Sequence, residues 1–324
     1  MALFGRRKDE PPALRLYYAS DIHGSEVLWR KFVNAAAGYR AQVLVMGGDV
    51  TGKVVVPLVE RADGVEVELF GRRSLLTDAG EIEAMEHRIR ANGMYPHRMT
   101  PAELEQVAGL ADEERERWFA GVMRRTFDDW LALADERLDE SVRCFVMPGN
   151  DDPSGVDEAI DAATKVEACD DRVVEFAGYG MLSLGYSNPT PFDSPRELDE
   201  DELYRRIAGL AEWLPDPERA IFNLHVPPHD STLDTAAELD ERLEVVMSGS
   251  SPKLIPVGST AVREAIERFQ PLLALHGHVH ESAGATRIGR TLCINPGSDY
   301  HTGRISGCLV QLRETNARHQ FVPG

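Results

Sequence analysis

The stretch of sequence that decides the fold lies near the N-terminus, Tyr17-Tyr18-Ala19-Ser20-Asp21-Ile22-His23-Gly24. The apolar run from Leu14 to Ala19 predicts a buried strand. Asp21 and His23 follow it two residues apart, so on an extended chain their side chains point the same way. A carboxylate and an imidazole that converge on one point are typical ligands of a divalent metal. Alone, the pattern is equally compatible with a capping aspartate and a surface histidine.

A second strand carries a matching group at its end. Residues 26–39 have the apolar spacing of a helix, and residues 42–46 predict another buried strand. This strand ends in two glycines and Asp49. A strand, a helix and a strand in this order favour a parallel pair with its site at the carboxyl ends. Because glycines allow the backbone to approach a ligand closely, we interpret Asp49 as a ligand beside Asp21.

Three later apolar runs end in side chains of the same kinds. Residues 143–147, 220–224 and 271–275 each predict a buried strand. The candidate ligands that follow these runs are, in chain order, Asn150, His225, His278 and His280. Five strand ends with such side chains are hard to obtain from core packing alone. We therefore predict a metal site where the strand ends meet.

Composition excludes several classes of function. The chain has 324 residues, 43% hydrophobic and 27% charged, which is typical of a soluble globular protein. A formal net charge of -19 argues against a general binder of nucleic acid or anionic membranes, and no apolar run is long enough to span a membrane. Residues 1–12 predict a flexible tail and no secretory signal. Four cysteines without a Cys-x-x-Cys pair indicate reduced thiols, so we expect a cytoplasmic protein.

Residues 54–140 interrupt the pattern of apolar strands. Two β-rich runs around residues 62–64 predict a hairpin. Helix-like segments follow at residues 81–92, from residue 100 onward, and at residues 115–138. We expect a single domain, residues 1–324, that contains this segment as a β-hairpin and helical insertion.

The insertion has two interpretations. In the first it has no part in the chemistry and is a solvated helical cap or the surface through which the chain forms a homo-oligomer. In the second, the loop predicted at residues 92–98 places Tyr95, His97 or Arg98 over the site, where such a side chain would bind an anionic substrate. The sequence leaves both interpretations open.

The order of the ligand groups resembles that of the calcineurin-like metallophosphoesterases. Their signature runs Asp-x-His, Gly-Asp, Gly-Asn followed by His or Asp, then His, and Gly-His-x-His, and the match spans Asp21 to His280. The wider motifs are similar to those of the Icc-related branch, namely Ser20-Asp21-Ile22-His23-Gly24-Ser25, Gly47-Gly48-Asp49, Gly149-Asn150-Asp151-Asp152, His225-Val226-Pro227-Pro228, Gly277-His278-Val279-His280-Glu281-Ser282 and Asn295-Pro296-Gly297-Ser298. The resemblance implies an α/β fold, a four-layer α/β/β/α sandwich of two mixed sheets flanked by helices.

The resemblance also implies a site for two divalent transition-metal ions. Asp21, His23 and His280 would hold the first ion, Asn150, His225 and His278 the second, and Asp49 would bridge them. Mn suits this donor set best, with Fe, Zn, Co or Ni as alternatives. A metal-bridging hydroxide would then hydrolyse a small phosphoester, with a phosphodiester slightly favoured.

One position departs from the pattern of many relatives, which have histidine after Gly-Asn. Here that residue is Asp151, and a carboxyl beside two cations is a poor proton donor. We count Asp49, Asn150 and Asp151 in the catalytic group, with Asn150 also in contact with the substrate. His229 is a candidate for the missing proton donor and His276 a weaker one. The alternative for either histidine is that it fixes a metal ligand.

Two other functions compete with phosphoester hydrolysis. The chain could be a metal-binding scaffold or regulatory protein with little turnover, although a scaffold need not retain seven polar ligands at one edge. It could also be a nuclease of the same family. The acidic net charge argues against a nuclease unless arginines of the insertion form a local basic patch.

Overall fold

The computed structural model describes residues 13–323, so the tail expected at residues 1–12 lies outside the described residues. Seven α-helices occur in this range: α1 Glu26–Tyr39, α2 Ala79–Ala91, α3 Pro101–Ala108, α4 Asp112–Arg137, α5 Val156–Asp161, α6 Glu200–Ala211 and α7 Thr260–Phe269. The strands are β1 Leu14–Ala19, β2 Val43–Met46, β3 Val54–Arg61, β4 Gly64–Leu69, β5 Arg72–Leu76, β6 Met94–Met99, β7 Arg143–Val146, β8 Val166–Ala168, β9 Arg172–Phe176, β10 Tyr179–Leu184, β11 Ala220–Leu224, β12 Thr235–Ala237, β13 Met247–Ser248, β14 Ser251–Pro252, β15 Leu254–Pro256, β16 Leu273–Leu275, β17 Gly284–Ile288, β18 Thr291–Asn295, β19 Ser306–Arg313 and β20 Asn316–Pro323. Among residues 13–323, no helix is both long and apolar enough to cross a membrane.

Most strands belong to two six-stranded mixed sheets. The first has the order β20-β19-β1-β2-β7-β8, in which β1, β2, β7 and β8 are parallel and β19 pairs antiparallel with both neighbours. The second has the order β17-β18-β16-β11-β10-β9, with four parallel central strands and an antiparallel strand at each edge. The predicted α/β fold class with two mixed sheets is confirmed.

Three apolar clusters hold the layers together. Between the sheets, Tyr18 and Phe145 of the first sheet pack in one cluster with Ile221 and Leu273 of the second. Helices α1, α4 and α5 cover the outer face of the first sheet, and α6 and α7 cover that of the second. Successive strand residues point to opposite faces, so a strand that is covered on both faces must be apolar throughout. This is why the buried part of β1, residues 16–19, is apolar throughout.

Helix α1 shows how the sequence specifies a covering helix. Glu26 lies in its first turn, where a negative charge favours the positive end of the helix dipole. Trp29, Phe32 and Val33 recur at helical spacing and are buried on one face. The helix ends at Arg40, whose left-handed backbone (φ 51°) lets its N–H bond back to the last turn.

Between β2 and β7 the chain forms a separate four-stranded sheet of order β5-β4-β3-β6. The predicted hairpin is present as the antiparallel pair β3 and β4. The predicted loop at residues 92–98 was wrong, because strand β6 occupies most of it and runs parallel to β3. Pro96 suggested a loop, yet it lies on an edge strand, where a missing N–H is tolerated. Each residue of β6 pairs with a residue of β3 that lies 40 positions earlier, so local sequence gave no sign of the pairing.

The parallel strands of both sheets end at one edge, and hydrogen bonds join their ends. The Asp21 N–H donates to the Gly48 carbonyl at 2.9 Å, which links the turns after β1 and β2. The Gly277 N–H donates to the His225 carbonyl at 2.8 Å, which links the turns after β16 and β11. The His278 N–H donates to the Asp21 carboxylate at 3.0 Å and so connects the two sheets. All the strand-end side chains therefore face one region.

Candidate metal centre

Four candidate ligands have a left-handed backbone. The φ angle is 58° at Asp21, 40° at His23, 49° at Asp49 and 65° at His278. Non-glycine residues rarely adopt this conformation because the Cβ atom crowds the carbonyl group, and clusters of them mark functional sites. Asp21 and His23 therefore converge through a tight turn after β1. The expected alternation along an extended chain was the wrong explanation for their convergence.

Asp21, His23 and His280 form the first cluster. Their candidate ligand atoms lie within 4.8 Å of one another. Nε2 of His280 is 2.9 Å from Nε2 of His23 and 3.4 Å from Oδ1 of Asp21. The ring of Tyr300, which sequence analysis missed, packs against His23 with ring centroids 4.8 Å apart. The cluster presents two imidazole nitrogens and a carboxylate oxygen to one small space.

Asn150, His225 and His278 form the second cluster. Oδ1 of Asn150 is 3.0 Å from Nε2 of His225 and 2.8 Å from Nδ1 of His278. The other ring nitrogen of His225, Nδ1, is 2.8 Å from the Gly47 carbonyl oxygen. Because a carbonyl oxygen can only accept, Nδ1 donates a proton to it, which leaves Nε2 as the ring nitrogen that faces the cluster. The Asn150 amide donates to Ser194 Oγ at 3.0 Å, which orients Oδ1 toward the histidines.

Asp49 lies between the two clusters. Its Oδ2 is 3.7 Å from Nε2 of His23, and its Oδ1 is 3.5 Å from Nε2 of His225. The backbone N–H of Asp151 donates to Oδ1 at 2.9 Å and fixes the carboxylate. One buried anionic group thus reaches both clusters.

Two glycines allow these carboxylates to approach the backbone. A Cβ atom at Gly149 would lie 2.1 Å from Oδ1 of Asp49, and one at Gly277 would lie 2.3 Å from Oδ2 of Asp21. Both distances are far shorter than any van der Waals contact. Any larger residue at either position would displace a candidate ligand.

The electrostatics of the clusters suit a cation. Burial opposes a charge on His225, but the carboxylates of Asp49 and Asp21 outweigh it and raise its pKa to about 10. Burial would raise the pKa of Asp49, yet His225, His23 and the Asp151 N–H hold that pKa below its usual range. Buried carboxylates that stay ionised and draw a proton onto a histidine create a negative potential, which a divalent cation would neutralise. The imidazole, carboxylate and amide donors fit such an ion.

Sequence analysis missed the role of Asp152, whose carboxylate is fully buried. It accepts hydrogen bonds from the N–H groups of Val50, Thr51 and Gly149 at 2.9, 2.7 and 2.8 Å, and from the Thr51 hydroxyl at 2.6 Å. Burial and the charge of Asp49 raise the pKa of Asp152 to about 6. Asp152 ties the turn after β2 to the turn after β7. The doubled aspartate after Gly-Asn was the available signal.

Residues of the turn after β18 position the histidine-bearing loop. The Asn295 amide donates to the carbonyls of Gly277 and Val279 at 3.2 and 2.9 Å. The Ser298 hydroxyl donates to the Asp21 carbonyl at 2.6 Å. These contacts connect the loop that carries His278 and His280 to the turn after β1.

Asp151 contacts a cation that sequence analysis did not single out. Nζ of Lys53 is 2.6 Å from Oδ2 of Asp151, and the Ser194 hydroxyl donates to Oδ1 at 3.1 Å. Oδ2 of Asp151 is also 4.0 Å from Nδ1 of His23. The position after Gly-Asn thus carries an ion pair at the edge of the first cluster.

The two other candidate histidines lie in different surroundings. His229 is 36% exposed in its side chain, and its Nδ1 is 3.9 Å from the Asp234 carboxylate. His276 is fully buried, and its Nδ1 donates to the Leu224 carbonyl at 2.8 Å. Burial lowers the pKa of His276 to about 4. His276 therefore packs beneath the ligands, whereas His229 faces a cavity beside them.

Tyr95 and Arg98 are not brought to the ligand clusters. Tyr95 is buried, and its hydroxyl accepts a hydrogen bond from the Gly52 N–H at 2.7 Å. Nε of Arg98 is 2.7 Å from the Glu86 carboxylate. Neither residue lines the cavity at the site. Both belong to strand β6.

A cavity of about 800 Å³ opens at the ligand clusters. Its lining includes the ligands Asp49, Asn150, His278 and His280. It also includes a group of apolar residues, Phe192, Ala236, Ala237, Leu239, Ile255 and Val257. Its volume is typical of sites that bind small molecules.

Comparison with known proteins gives a related sequence and a similar fold. No protein-family model matches the chain. MJ1162, an uncharacterized protein of Methanocaldococcus jannaschii, is 31% identical over 163 residues, which span 49% of this chain and 66% of that protein, a little under two thirds of its length. A solved crystal structure covers 95% of this chain and 99% of its own at 17% identity and a TM-score of 0.55, which shows a shared fold alone. The alignment with the structure of an archaeal phosphodiesterase covers 95% of this chain and 100% of that one. Its sequence identity of 12% and TM-score of 0.38 are too low to support a conclusion about this chain.

Proposed function

We propose that the chain is a metal-dependent phosphoester hydrolase with a site for two divalent ions. The observation that carries this proposal is that two clusters of candidate ligands share one carboxylate, that of Asp49. Asp21, His23 and His280 would hold one ion, Asn150, His225 and His278 the other, and Asp49 would contact both. The order of these residues along the chain supports a place among the calcineurin-like metallophosphoesterases, and the wider motifs support the Icc-related branch.

The donor set favours transition metals. Imidazole with carboxylate suits Mn first, with Fe, Zn, Co or Ni as alternatives, better than Ca or Mg alone. Bound there, two such ions would supply positive charge against phosphoryl oxygens and a lower pKa for water.

The protein's own residues divide the remaining work. Asn150 is held by Ser194 in the orientation that presents Oδ1 to both histidines, and its place on the cavity wall lets it contact the substrate. Asp151 holds the Lys53 ammonium group at the cavity, where it would bind a phosphoryl oxygen. His229 lines the same cavity and is the candidate that protonates the leaving group. Because His229 lies outside the ligand clusters, we favour phosphodiesters with good leaving groups.

We further propose that residues 1–324 act as one cytoplasmic enzyme domain with an insertion at about residues 54–140. Strands β2 and β7 pair directly although the insertion separates them in sequence. Phe127 and Trp130 of the insertion pack in the same cluster as Trp29 of α1, which anchors the insertion on the first sheet. The four cysteines are free and buried, in keeping with a reducing compartment.

A nuclease activity receives less support from the insertion. Arg98 is paired with Glu86 and Arg124 with Asp128, each at 2.7 Å. Arginines that are neutralised in this way contribute little to binding of a polyanion. Cleavage of oligonucleotides that disappears in Arg98→Ala or Arg124→Ala would reverse this conclusion.

The test compares metal content and hydrolysis in the wild type and in Asp49→Ala. Protein purified without chelators should contain about two metal ions per chain and cleave bis-p-nitrophenyl phosphate faster than p-nitrophenyl phosphate in Mn-containing buffer. Asp49→Ala should lose most of the metal and at least about a hundredfold in turnover. Asp63→Ala, an exposed carboxylate in the β3–β4 turn, serves as the matched control.

Two results would contradict the proposal. Metal-loaded wild type that cleaves neither ester would favour a metal-binding scaffold. Hydrolysis that survives unchanged in Asp49→Ala would place the activity elsewhere or in a contaminant.

A further inference from the structure

The cavity at the candidate metal centre combines metal ligands with apolar side chains. Its lining includes the ligands Asp49, Asn150, His278 and His280. It also includes the apolar residues Phe192 and Ile255. The Phe192 side chain is exposed over 62% of its surface, although large apolar side chains are usually buried. A ligand that reaches from the metals into this cavity would cover it.

Little positive charge faces the cavity. Among residues 13–323, Lys53 is the one lysine or arginine that lines it, and its ammonium is paired with Asp151. Two glutamates also belong to the lining, Glu281 and Glu200, and Glu200 accepts from the Ser259 hydroxyl and the Ala261 N–H at the start of α7. A substrate group with further phosphates would meet these carboxylates without an unpaired lysine or arginine to bind it. A neutral apolar group would meet apolar side chains.

The apolar walls are held by specific contacts. The loop with Phe192 is closed by Glu197, which accepts from the N–H of Thr190 and of Ser194 at 3.0 and 2.8 Å. Ser194 in turn accepts from the amide of Asn150, so this loop is joined directly to the candidate metal centre. Ile255 belongs to the two-stranded sheet of β12 and β15, where it pairs with Ala236, and the Thr235 N–H of β12 donates to the hydroxyl of Ser282, two residues after His280. Both walls are therefore positioned relative to the ligands.

We propose that the substrate is a phosphodiester whose second ester group is a hydrocarbon of about the size of an aromatic ring, bound against Phe192 and Ile255. The inference rests on the proposed function and specifies its substrate class. A phosphodiester carries a single negative charge, which suits a cavity whose one lysine is already paired with Asp151. In the reaction the oxygen of water bonds to phosphorus as the bond from phosphorus to the leaving oxygen breaks. One proton of the water goes to the leaving alcohol, and the product retains the hydrocarbon as a phosphomonoester.

The test holds the leaving group constant and varies the second ester. The Mn-loaded wild type is compared on p-nitrophenyl phenyl phosphate and p-nitrophenyl methyl phosphate. Burial of a ring against Phe192 and Ile255 should favour the phenyl ester by about tenfold in kcat/KM, mainly through KM. Phe192→Ala, and separately Ile255→Thr, should reduce this preference to about twofold or less. Trp213→Ala, an aromatic residue that is 78% exposed and outside the cavity lining, should keep it.

A binding measurement separates this inference from the proposed function. Calorimetry with phenylphosphonate and methylphosphonate, which cannot be hydrolysed, should show the same preference and the same loss in Phe192→Ala. If the protein binds phenylphosphonate more tightly than methylphosphonate but hydrolyses no ester, the apolar subsite is supported and the proposed hydrolase activity is contradicted. Hydrolysis that depends on Asp49 but does not distinguish the two esters, or a preference unchanged in both wall variants, would overturn the apolar subsite alone.

Discussion

Lys53 places an ammonium group 2.6 Å from the carboxylate of Asp151, the residue that follows Gly149 and Asn150. The Lys53 side chain is 56% exposed, so its ion pair contributes at most about 1 kcal/mol to folding. Asp151 thus holds the ammonium group of Lys53 at the wall of the cavity.

Replacement of Lys53 should therefore affect activity and leave stability almost unchanged. Lys53→Met should lower kcat/KM for bis-p-nitrophenyl phosphate by about tenfold to a hundredfold, because a charge that stabilises the phosphoryl oxygens is lost. Lys53→Arg should retain most of the activity. Metal content, measured in parallel, should stay at the wild-type level in both variants. A Lys53→Met enzyme with full activity would remove Lys53 from the mechanism.

Among the buried residues near the site, Asp152 is the one whose replacement should lower the free energy of unfolding most. Asp152→Ala leaves the N–H groups of Val50, Thr51 and Gly149 without their acceptor, and each unsatisfied buried donor costs about 1–3 kcal/mol. We expect a loss of at least about 3 kcal/mol in the free energy of unfolding, measured with urea. Asp152→Asn retains one acceptor oxygen and should lose less. Equal stability of Asp152→Ala and the wild type would contradict this assignment.

Among the elements, α4 determines how the insertion is attached to the first sheet. Trp130 of α4 stacks on Trp29 of α1 with ring centroids 5.9 Å apart, and Phe127 meets Trp29 edge-on. The Trp29 indole N–H donates to the Trp130 carbonyl at 2.8 Å. An aromatic cluster of this kind fixes one helix against the other through both apolar contact and ring geometry.

Truncation of Trp130 should accordingly loosen the insertion from the first sheet. Trp130→Ala should lower the free energy of unfolding by about 3–5 kcal/mol, since a buried aromatic side chain is replaced by a void. Trp213→Ala is the matched control, and we expect a change within about 0.5 kcal/mol because that ring is exposed. An equal loss of unfolding free energy in both variants would contradict the conclusion that the α1–α4 contact attaches the insertion to the first sheet.

At the scale of the whole molecule, the candidate metal centre joins the two sheets. Asp21 and Asn150 come from turns of the first sheet, and His225 and His278 from turns of the second. Ions held by both sheets stabilise the native state by mass action, because the unfolded chain does not preserve the site. The stability of the protein should therefore depend on metal concentration.

Removal of metal should lower the melting temperature. With free Mn at about a hundred times its dissociation constant, the gain is about 2.7 kcal/mol, which corresponds to several degrees for a chain of this size. A chelator should reverse the shift, and Asp49→Ala should show little or none of it. The measurement is a thermal melt of both proteins in each buffer. A melting temperature of the wild type that is indifferent to Mn and to chelator would argue against bound structural ions.

Much of the fold could be predicted because its signals are local. The apolar runs of β1, β2 and β7 must be buried on both faces, and a run of that kind is visible in sequence. Helix α4 was expected at residues 115–138 and lies at Asp112–Arg137. Strand β6 and the last strand, β20, were not predicted, because their pairing with β3 and β19 depends on distant residues.

The sequence by itself determined which side chains follow the buried strands and in what order, since residue type and position are local properties. Only the tertiary structure decided how they meet. The left-handed turns at Asp21 and Asp49 depend on contacts between strand ends, and the Asp151–Lys53 pair joins residues almost 100 positions apart. The apolar wall around Phe192 and Ile255 likewise comes from two separate segments. Such juxtapositions arise from packing between elements, which no local pattern records.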